Sequence, residues 1–499
     1  MSDEHHHDGM VGRILSGLAW KAGSQVMLQI TRLIVALFLA RMLAPDDWGV
    51  AAMVLVFSGF VIVFTDNALG TALIQRRTID EDDRSTVFWS SAGIGVLLAL
   101  GGWALSGPLA SFYGEPEVQP LFVVLSLSFF VATLGTTQSA LLVRDMQFRI
   151  LELRQMAATV VGAAAGIAVA IAGGGAWAIV IQQLADATTS TILLWILTPW
   201  RPKFRFSTAS LRRLGGFAGN VFGENLLYQA GRNIANLLIG RFIGAAALGA
   251  YSLATNVILV PFSRIAAPLQ QVFFPAFSRM DDKERMADMW VRVMRLVGAI
   301  SIPALVGLAI VAPEFVDVVL GDKWHDAIPV IQILAWAGLV QSLQTLNGEI
   351  LLALGKASWL LGFTALWFVG SLTSFLVGVH WGIIGVAVAY AVVTTVIEPI
   401  RAYLACRALG FPLWRFVAAF GGVAQATAIM AAVVVAARQA LVAQDVPQAV
   451  TLVLLIVLGA AVYTPCCLWR APEIRELMKG LAARRRRAAA PVEPRLSEL

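Results

Sequence analysis

Charge is what this sequence has least of. Asp, Glu, Lys and Arg make up 14% of its 499 residues, where a soluble chain carries about 25%. So few charges cannot coat the exterior of soluble domains of this total length. Cysteine is nearly absent as well. Cys406, Cys466 and Cys467 show no zinc spacing and no disulfide framework, and they read as small packing residues. The first ten residues, MSDEHHHDGM, lack the basic n-region and cleavage site of a signal peptide. Within them His5, His6 and His7 read as a solvated tail rather than a metal site. No Gly-rich phosphate loop follows a strand, which argues against ATP hydrolysis by this chain. What is present is apolar. Hydrophobic residues reach 58% and the mean hydropathy is +0.76. Apolar runs near twenty residues recur, and the ten-residue alternation of a membrane barrel does not. The chain therefore reads as an all-α membrane protein.

Fourteen transmembrane helices are expected, over 14–40, 46–68, 86–106, 119–142, 153–173, 176–198, 214–242, 247–277, 289–311, 327–353, 358–379, 382–405, 416–437 and 449–469. Pro45, Gly114, Pro116, Gly173–Gly175, Pro199, Pro202, Gly355 and Pro412 punctuate the joints. The gaps are too short to hold a soluble domain. Of the 37 Lys and Arg residues, twenty-nine fall on the side shared by the N terminus, the even-numbered connections and the C-terminal tail. Only Arg41, Arg241, Lys323 and Arg438 fall on the opposite side. The positive-inside rule then makes both termini cytoplasmic. The tail over 471–499, with Arg484–Arg487, reads as basic, disordered and cytoplasmic; such a cluster beyond a span meets anionic lipid more often than nucleic acid.

The first and seventh spans resemble each other at an offset of two hundred. Gln29 meets Gln229, Arg32 meets Arg232, Arg41 meets Arg241 and Gly49 meets Gly249. An even number of spans separates the two, so the repeat is parallel, about an axis along the membrane normal. This divides the chain into an N-lobe (1–205, spans 1–6), a C-lobe (206–412, spans 7–12) and two added helices (413–470, spans 13 and 14).

Away from the span ends, four basic residues lie inside spans: Lys21, Arg32, Arg232 and Arg264. Each costs about 2.5–3.5 kcal/mol at a bilayer centre on insertion scales, so such residues turn from lipid toward water or a partner helix. Lys21, Gln25, Gln29 and Arg32 form one polar stripe, and Asn225, Gln229, Arg232, Asn233 and Asn236 form another. Guanidinium groups suit phosphate, because they stay protonated and offer forked donors. The expected binding set is Arg32, Arg232, Arg264, Lys21, Gln29, Gln229, Asn233 and Asn236 around a central cavity. Asp66, Asp186 and Glu224 either neutralise the arginines or bind a coupling ion, H+ or Na+. No catalytic residue, metal or cofactor is expected.

The runs LGAYSLATNVILVPFSRIAAPLQQVFFPAFSRM (248–280), LLVRDMQFRILELRQMA (141–157), GGGAWAIVIQQL (173–184) and LARMLAPDDWGVAAM (39–53) resemble Wzx-type polysaccharide flippases. The similarity is to the colanic-acid and succinoglycan exporter branch of the multidrug/oligosaccharidyl-lipid/polysaccharide (MOP) exporter superfamily. That resemblance implies the MOP exporter fold, with two six-helix lobes and a central cavity. It implies a cargo of undecaprenyl-diphosphate-linked glycan, moved between leaflets of the bacterial inner membrane for exopolysaccharide or lipopolysaccharide biosynthesis. It also implies headgroup-binding arginines on the first and eighth helices, here Arg32 and Arg264; Arg232 enters through the repeat alone. Polymerase or export machinery are the implied protein partners, around a functional monomer.

Two other classes compete. A MATE-like cation-coupled multidrug antiporter would favour an acidic cavity, whereas four basic and five acidic residues lie inside these spans. A membrane enzyme would need catalytic groups on a sizeable outer loop. The largest one expected, 312–326, offers Glu314, Asp317, Asp322, His325 and Asp326 without a catalytic spacing.

Overall fold

A computed structural model describes residues 25, 27–66, 70, 73–74, 78–210, 229, 231 and 233–470. Among them every regular element is helical, and nine helices are long and apolar enough to cross a membrane. The principal helices are α1 (27–42), α2 (Pro45–Asp66), α3 (Glu81–Tyr113), α4 (Val118–Thr133), α5 (Thr136–Arg144), α6 (Phe148–Ile171) and α7 (Trp177–Leu197). Next come α8 (233–242), α9 (Ala245–Ser278), α10 (Lys283–Phe315), α11 (Ala327–Ser342), α12 (Asn347–Ala353), α13 (Ala357–Gly378) and α14 (Gly382–Leu409). The last are α15 (Leu413–Ala418), α16 (Gly421–Ala443) and α17 (Gln448–Arg470).

The described chain packs as two compact units. One holds the residues up to Arg264 with Val319–Val330 and Phe368–Tyr390; the other holds Ile265–Val318, Ile331–Trp367 and the residues from Ala391 onward. Large apolar side chains on the flanks stay exposed, among them Leu97, Ile171, Leu361, Ile456 and Val457. Such surfaces are tolerable only against lipid.

Several helices overrun their apolar stretch. α3 has 33 residues, about 50 Å at 1.5 Å per residue, against a hydrocarbon core near 30 Å. Local chemistry sets its ends. Asp80 and Asp83 form a capping box, with Glu81 and Asp82 adding negative charge in the first turn, and Gly114 closes the helix at φ 74°.

Two expected spans are broken. Span 119–142 is interrupted at Leu134–Gly135, between α4 and α5. The freed carbonyls are satisfied from α7: Thr191 Oγ1 donates to Val131 O at 2.9 Å and Trp195 Nε1 to Leu134 O at 3.0 Å. Span 327–353 breaks between α11 and α12, where Gln270 Nε2 donates to Thr345 O at 2.9 Å. Breaks at membrane depth persist because protein groups take up the hydrogen bonds.

The expected outer loop 312–326 is mostly helical. α10 continues to Phe315, a π-turn follows over Val316–Leu320, and a short 3-10 turn spans Asp322–Trp324. Burial explains it. Glu314 is buried and pairs with Arg438 Nε at 2.6 Å. Trp324 is buried too; its Nε1 donates to Ala40 O at 2.7 Å, at the end of α1, and its ring meets Trp48 edge-on at 6.1 Å.

The second unit has its own core. Trp290 stacks on Phe416 at 4.5 Å, and its Nε1 donates to Asn347 Oδ1 at 3.0 Å. Phe277, Met294, Leu346, Ile350 and Val423 fill the space around them.

Within the first unit the burial pattern recurs at an offset of two hundred residues. Val35, Leu39 and Ala40 are buried on α1, as are Ala235, Ile239 and Gly240 on α8. Arg41 and Met42 are exposed, as are Arg241 and Phe242. Helix resumes at 45 and again at 245, and the stretches 48–54 and 248–254 are buried throughout. At the crossing of α2 and α9 the contacts exchange partners. A Cβ on Gly49 would lie 1.8 Å from Ala245 O, and one on Gly249 would lie 2.0 Å from Pro45 O. Residue 49 thus faces 245 as residue 249 faces 45.

Candidate headgroup site on the first helix

α6 and α7 approach closely because glycine permits it. Gly162 and Gly166 form a small-xxx-small pair on α6. A Cβ on Gly162 would lie 2.9 Å from Gln182 O and 3.0 Å from Asp186 Cβ; one on Gly166 would lie 2.9 Å from Ala178 O. Asp186 is thereby held on α7 against α6. Glu152, Gln155, Thr159, Gly162 and Gly166 follow one another at 3, 4, 3 and 4 residues, which is a single helix face.

The polar stripe of the first span meets this face at two levels. Gln25 Nε2 donates to both carboxylate oxygens of Glu152, at 3.3 and 3.0 Å. Glu152 is 7% exposed. Seven residues on, about 10 Å along the helix, Arg32 acts electrostatically on Asp186, as does Arg154 from α6, while Thr159 and Gln155 face the same carboxyl. Arg32 is exposed and Asp186 half-buried, so neither is sealed in a dry interior. Gln29, between the two levels, is half-buried.

The stripe of the seventh span forms a second group. Gln229 Nε2 donates to Gly59 O on α2 at 2.8 Å, and Asn233 Nδ2 donates back to Gln229 O at 3.0 Å. Gly59 is where it must be: a Cβ there would lie 2.6 Å from Gln229 Nε2 and 3.1 Å from Asn233 Nδ2. Asn236, one turn on, is half-buried. The amide of Gln229 thus fastens the helix to α2, while that of Asn233 bonds its own helix.

Lys21, Glu224 and Arg232 lie outside the described residues. Arg264 is carried in α9 and Asp66 ends α2, with side chains outside the described part. Glu152 was not among the residues expected from sequence. Its signal was the polar and small-residue periodicity from 152 to 166, obscured because Glu152 falls in what reads as a basic connection between two spans.

Chemically, the first group offers an exposed guanidinium, balanced by a carboxylate that a stronger anion can replace.

Known proteins agree with this frame. The profile of the polysaccharide biosynthesis protein family matches residues 38–329. The lipopolysaccharide biosynthesis protein WzxC of Escherichia coli (strain K12) is 28% identical over 344 residues, covering 68% of this chain and 70% of its own. The succinoglycan biosynthesis transport protein ExoT of Rhizobium meliloti (strain 1021) is 28% identical, over 60% of each chain. Among solved structures, the lipid II flippase MurJ in an inward closed conformation superimposes with a TM-score of 0.73 at 13% identity, over 90% of this chain and 99% of its own. That likeness shows a shared fold.

Proposed function

Because the chain belongs to the polysaccharide biosynthesis protein family, we propose that it is a flippase for a lipid-linked oligosaccharide. The cargo is a polyprenyl-diphosphate-linked repeat unit, carried from the cytoplasmic to the periplasmic leaflet of a bacterial inner membrane by alternating access. The architecture we assign is the fourteen-helix MOP exporter fold, with two six-helix lobes and two added helices. Its support is the burial pattern that recurs at two hundred residues and the likeness to MurJ along nearly all of that chain.

The feature that carries the mechanism is the exposed Arg32 guanidinium, whose charge acts on Asp186. A diphosphate bears more negative charge than one carboxylate and accepts forked hydrogen bonds from a guanidinium. On arrival it displaces Asp186 from Arg32. The carboxylate, left with Arg154 alone as a cationic neighbour, then takes up a cation, H+ or Na+. Release of the headgroup on the far side restores the pair. Cargo on Arg32 and cation on Asp186 are thereby bound and released together, with Arg232 and Arg264 as further headgroup ligands. The sugars lie in the polar cavity and the prenyl chain stays in lipid.

A vesicle assay of lipid-linked sugar translocation tests this reading. Loss of a charge-assisted contact is worth about 1.5–3 kcal/mol. Flipping by Arg32→Ala should fall about 10- to 100-fold, and the triple variant with Arg232→Ala and Arg264→Ala should be inactive. Undiminished flipping by the triple variant would reject the mechanism.

A further inference from the structure

A second binding surface lies on the second unit. α13 and α14 enclose an open groove of about 440 Å3, lined by Trp359, Gly362, Phe363, Leu366, Ile400, Leu404 and Arg407. Its walls are apolar and aromatic, and two cations stand at one end of it. Lys356 Nζ lies 5.3 Å from the centre of the Trp359 ring, and the Arg407 guanidinium lies 5.7 Å from the same ring. Both cations are exposed. Neither has a carboxylate partner among the described residues, unlike Arg401, whose Nη2 is held by Glu398 at 2.7 Å, or Arg438, held by Glu314. Lys356 immediately precedes α13 and Arg407 lies in the last turn of α14, so both belong to the same end of the helix pair. That end carries the basic connections of the chain, which marks the cytoplasmic leaflet. Trp359 beside them is the amphipathic ring expected at a membrane interface.

We propose that this groove is a binding site for an anionic glycerophospholipid of the cytoplasmic leaflet. Its phosphate lies between Lys356 and Arg407, and one acyl chain runs along Phe363, Leu366, Ile400 and Leu404. Charge complementarity selects the occupant. Two cations with no carboxylate partner among the described residues, beside an apolar groove, match an anionic headgroup joined to a hydrocarbon tail, and a neutral headgroup leaves both unanswered. Gly362 lines the groove and a Cβ there would meet no atom within 4 Å, so a larger side chain enters empty space. The site is separate from the Arg32 group and does not depend on the flippase reading.

The test uses the full chain in nanodiscs and bromine quenching of tryptophan fluorescence. The chain has 15 tryptophans, so the Trp359 signal is taken as the difference from Trp359→Phe. Phosphatidylglycerol brominated on its acyl chains should quench that signal at several-fold lower mole fraction than brominated phosphatidylcholine. The double variant Lys356→Gln/Arg407→Gln should lose the preference, by about fivefold per charge. Gly362→Leu, which fills the channel with both charges kept, should abolish quenching by either lipid while the protein elutes normally on size exclusion. Equal quenching by the two lipids, or a preference that survives the double variant, would overturn the proposal. So would full protection of Trp359 by equimolar polyprenyl diphosphate in excess phosphatidylglycerol, since the groove would then belong to the cargo carrier.

Discussion

Gly249 has no room for a methyl group, and neither has Gly49. The Cβ positions fall 2.0 Å from Pro45 O and 1.8 Å from Ala245 O, far inside van der Waals contact, against rigid helical backbone. Overpacking of this kind costs about 1–3 kcal/mol or more. Gly249→Val should therefore lower the thermal unfolding midpoint in detergent. Gly101→Ala, where a Cβ meets nothing within 4 Å, should be neutral or stabilising by about 0.5–1 kcal/mol. A midpoint for Gly249→Val equal to that of the parent chain would contradict the close crossing. Sequence comparison picks out Gly49 and Gly249 as equivalent, because identical residues recur around both. It cannot show that each touches the other's neighbourhood, which is a property of packing. Gln229 makes the same point. Its place on a polar stripe is readable from spacing, but its bond to the Gly59 carbonyl depends on a helix 170 residues away.

Helices are legible because an apolar run near twenty residues has few other fates in a membrane. Their interruptions are marked only by short polar runs, GTTQS at 135–139 and QSLQTLNGE at 341–349, which a helix face packed on protein can also carry. In LSLSFFVATLGTTQSALL the run over 135–139 is polar, but spacing does not tell a break there from a polar helix face; the donors that stabilise it stand on α7. Removing those donors should loosen the break. Thr191→Val with Trp195→Phe leaves the carbonyls of Val131 and Leu134 without their side-chain partners. Interhelical hydrogen bonds in membranes average about 0.6 kcal/mol each, so the double variant should lose about 1 kcal/mol. Unfolding in a denaturing detergent titration would measure it, and an unchanged midpoint would mean the break is held by other contacts. Glu152 illustrates the converse error. It reads as part of a basic connection, yet α6 begins at Phe148 and carries it into the packed face.

For the whole molecule, the distribution of Lys and Arg is the only orientation signal in the sequence, and it is lopsided enough to predict labelling. A cysteine placed at Glu115, after α3, should react with a membrane-impermeant maleimide added to intact spheroplasts. One placed at Asp145, between α5 and α6, should react only after the membrane is opened, with the native cysteines changed to serine in both. The reverse pattern would invert the protein and move the headgroup site's entry to the other leaflet.

The crossing of α2 and α9 bears on descent. Two equivalent helices that exchange partners about a glycine are what a pair of identical polypeptides makes when it self-associates. A half-length ancestor that dimerised there would have met one steric requirement, written once in its gene. A fusion of two such halves would write it twice. Elsewhere the copies were free to diverge, as Trp48 and Leu248 show, but at this point a change in either copy is felt by both.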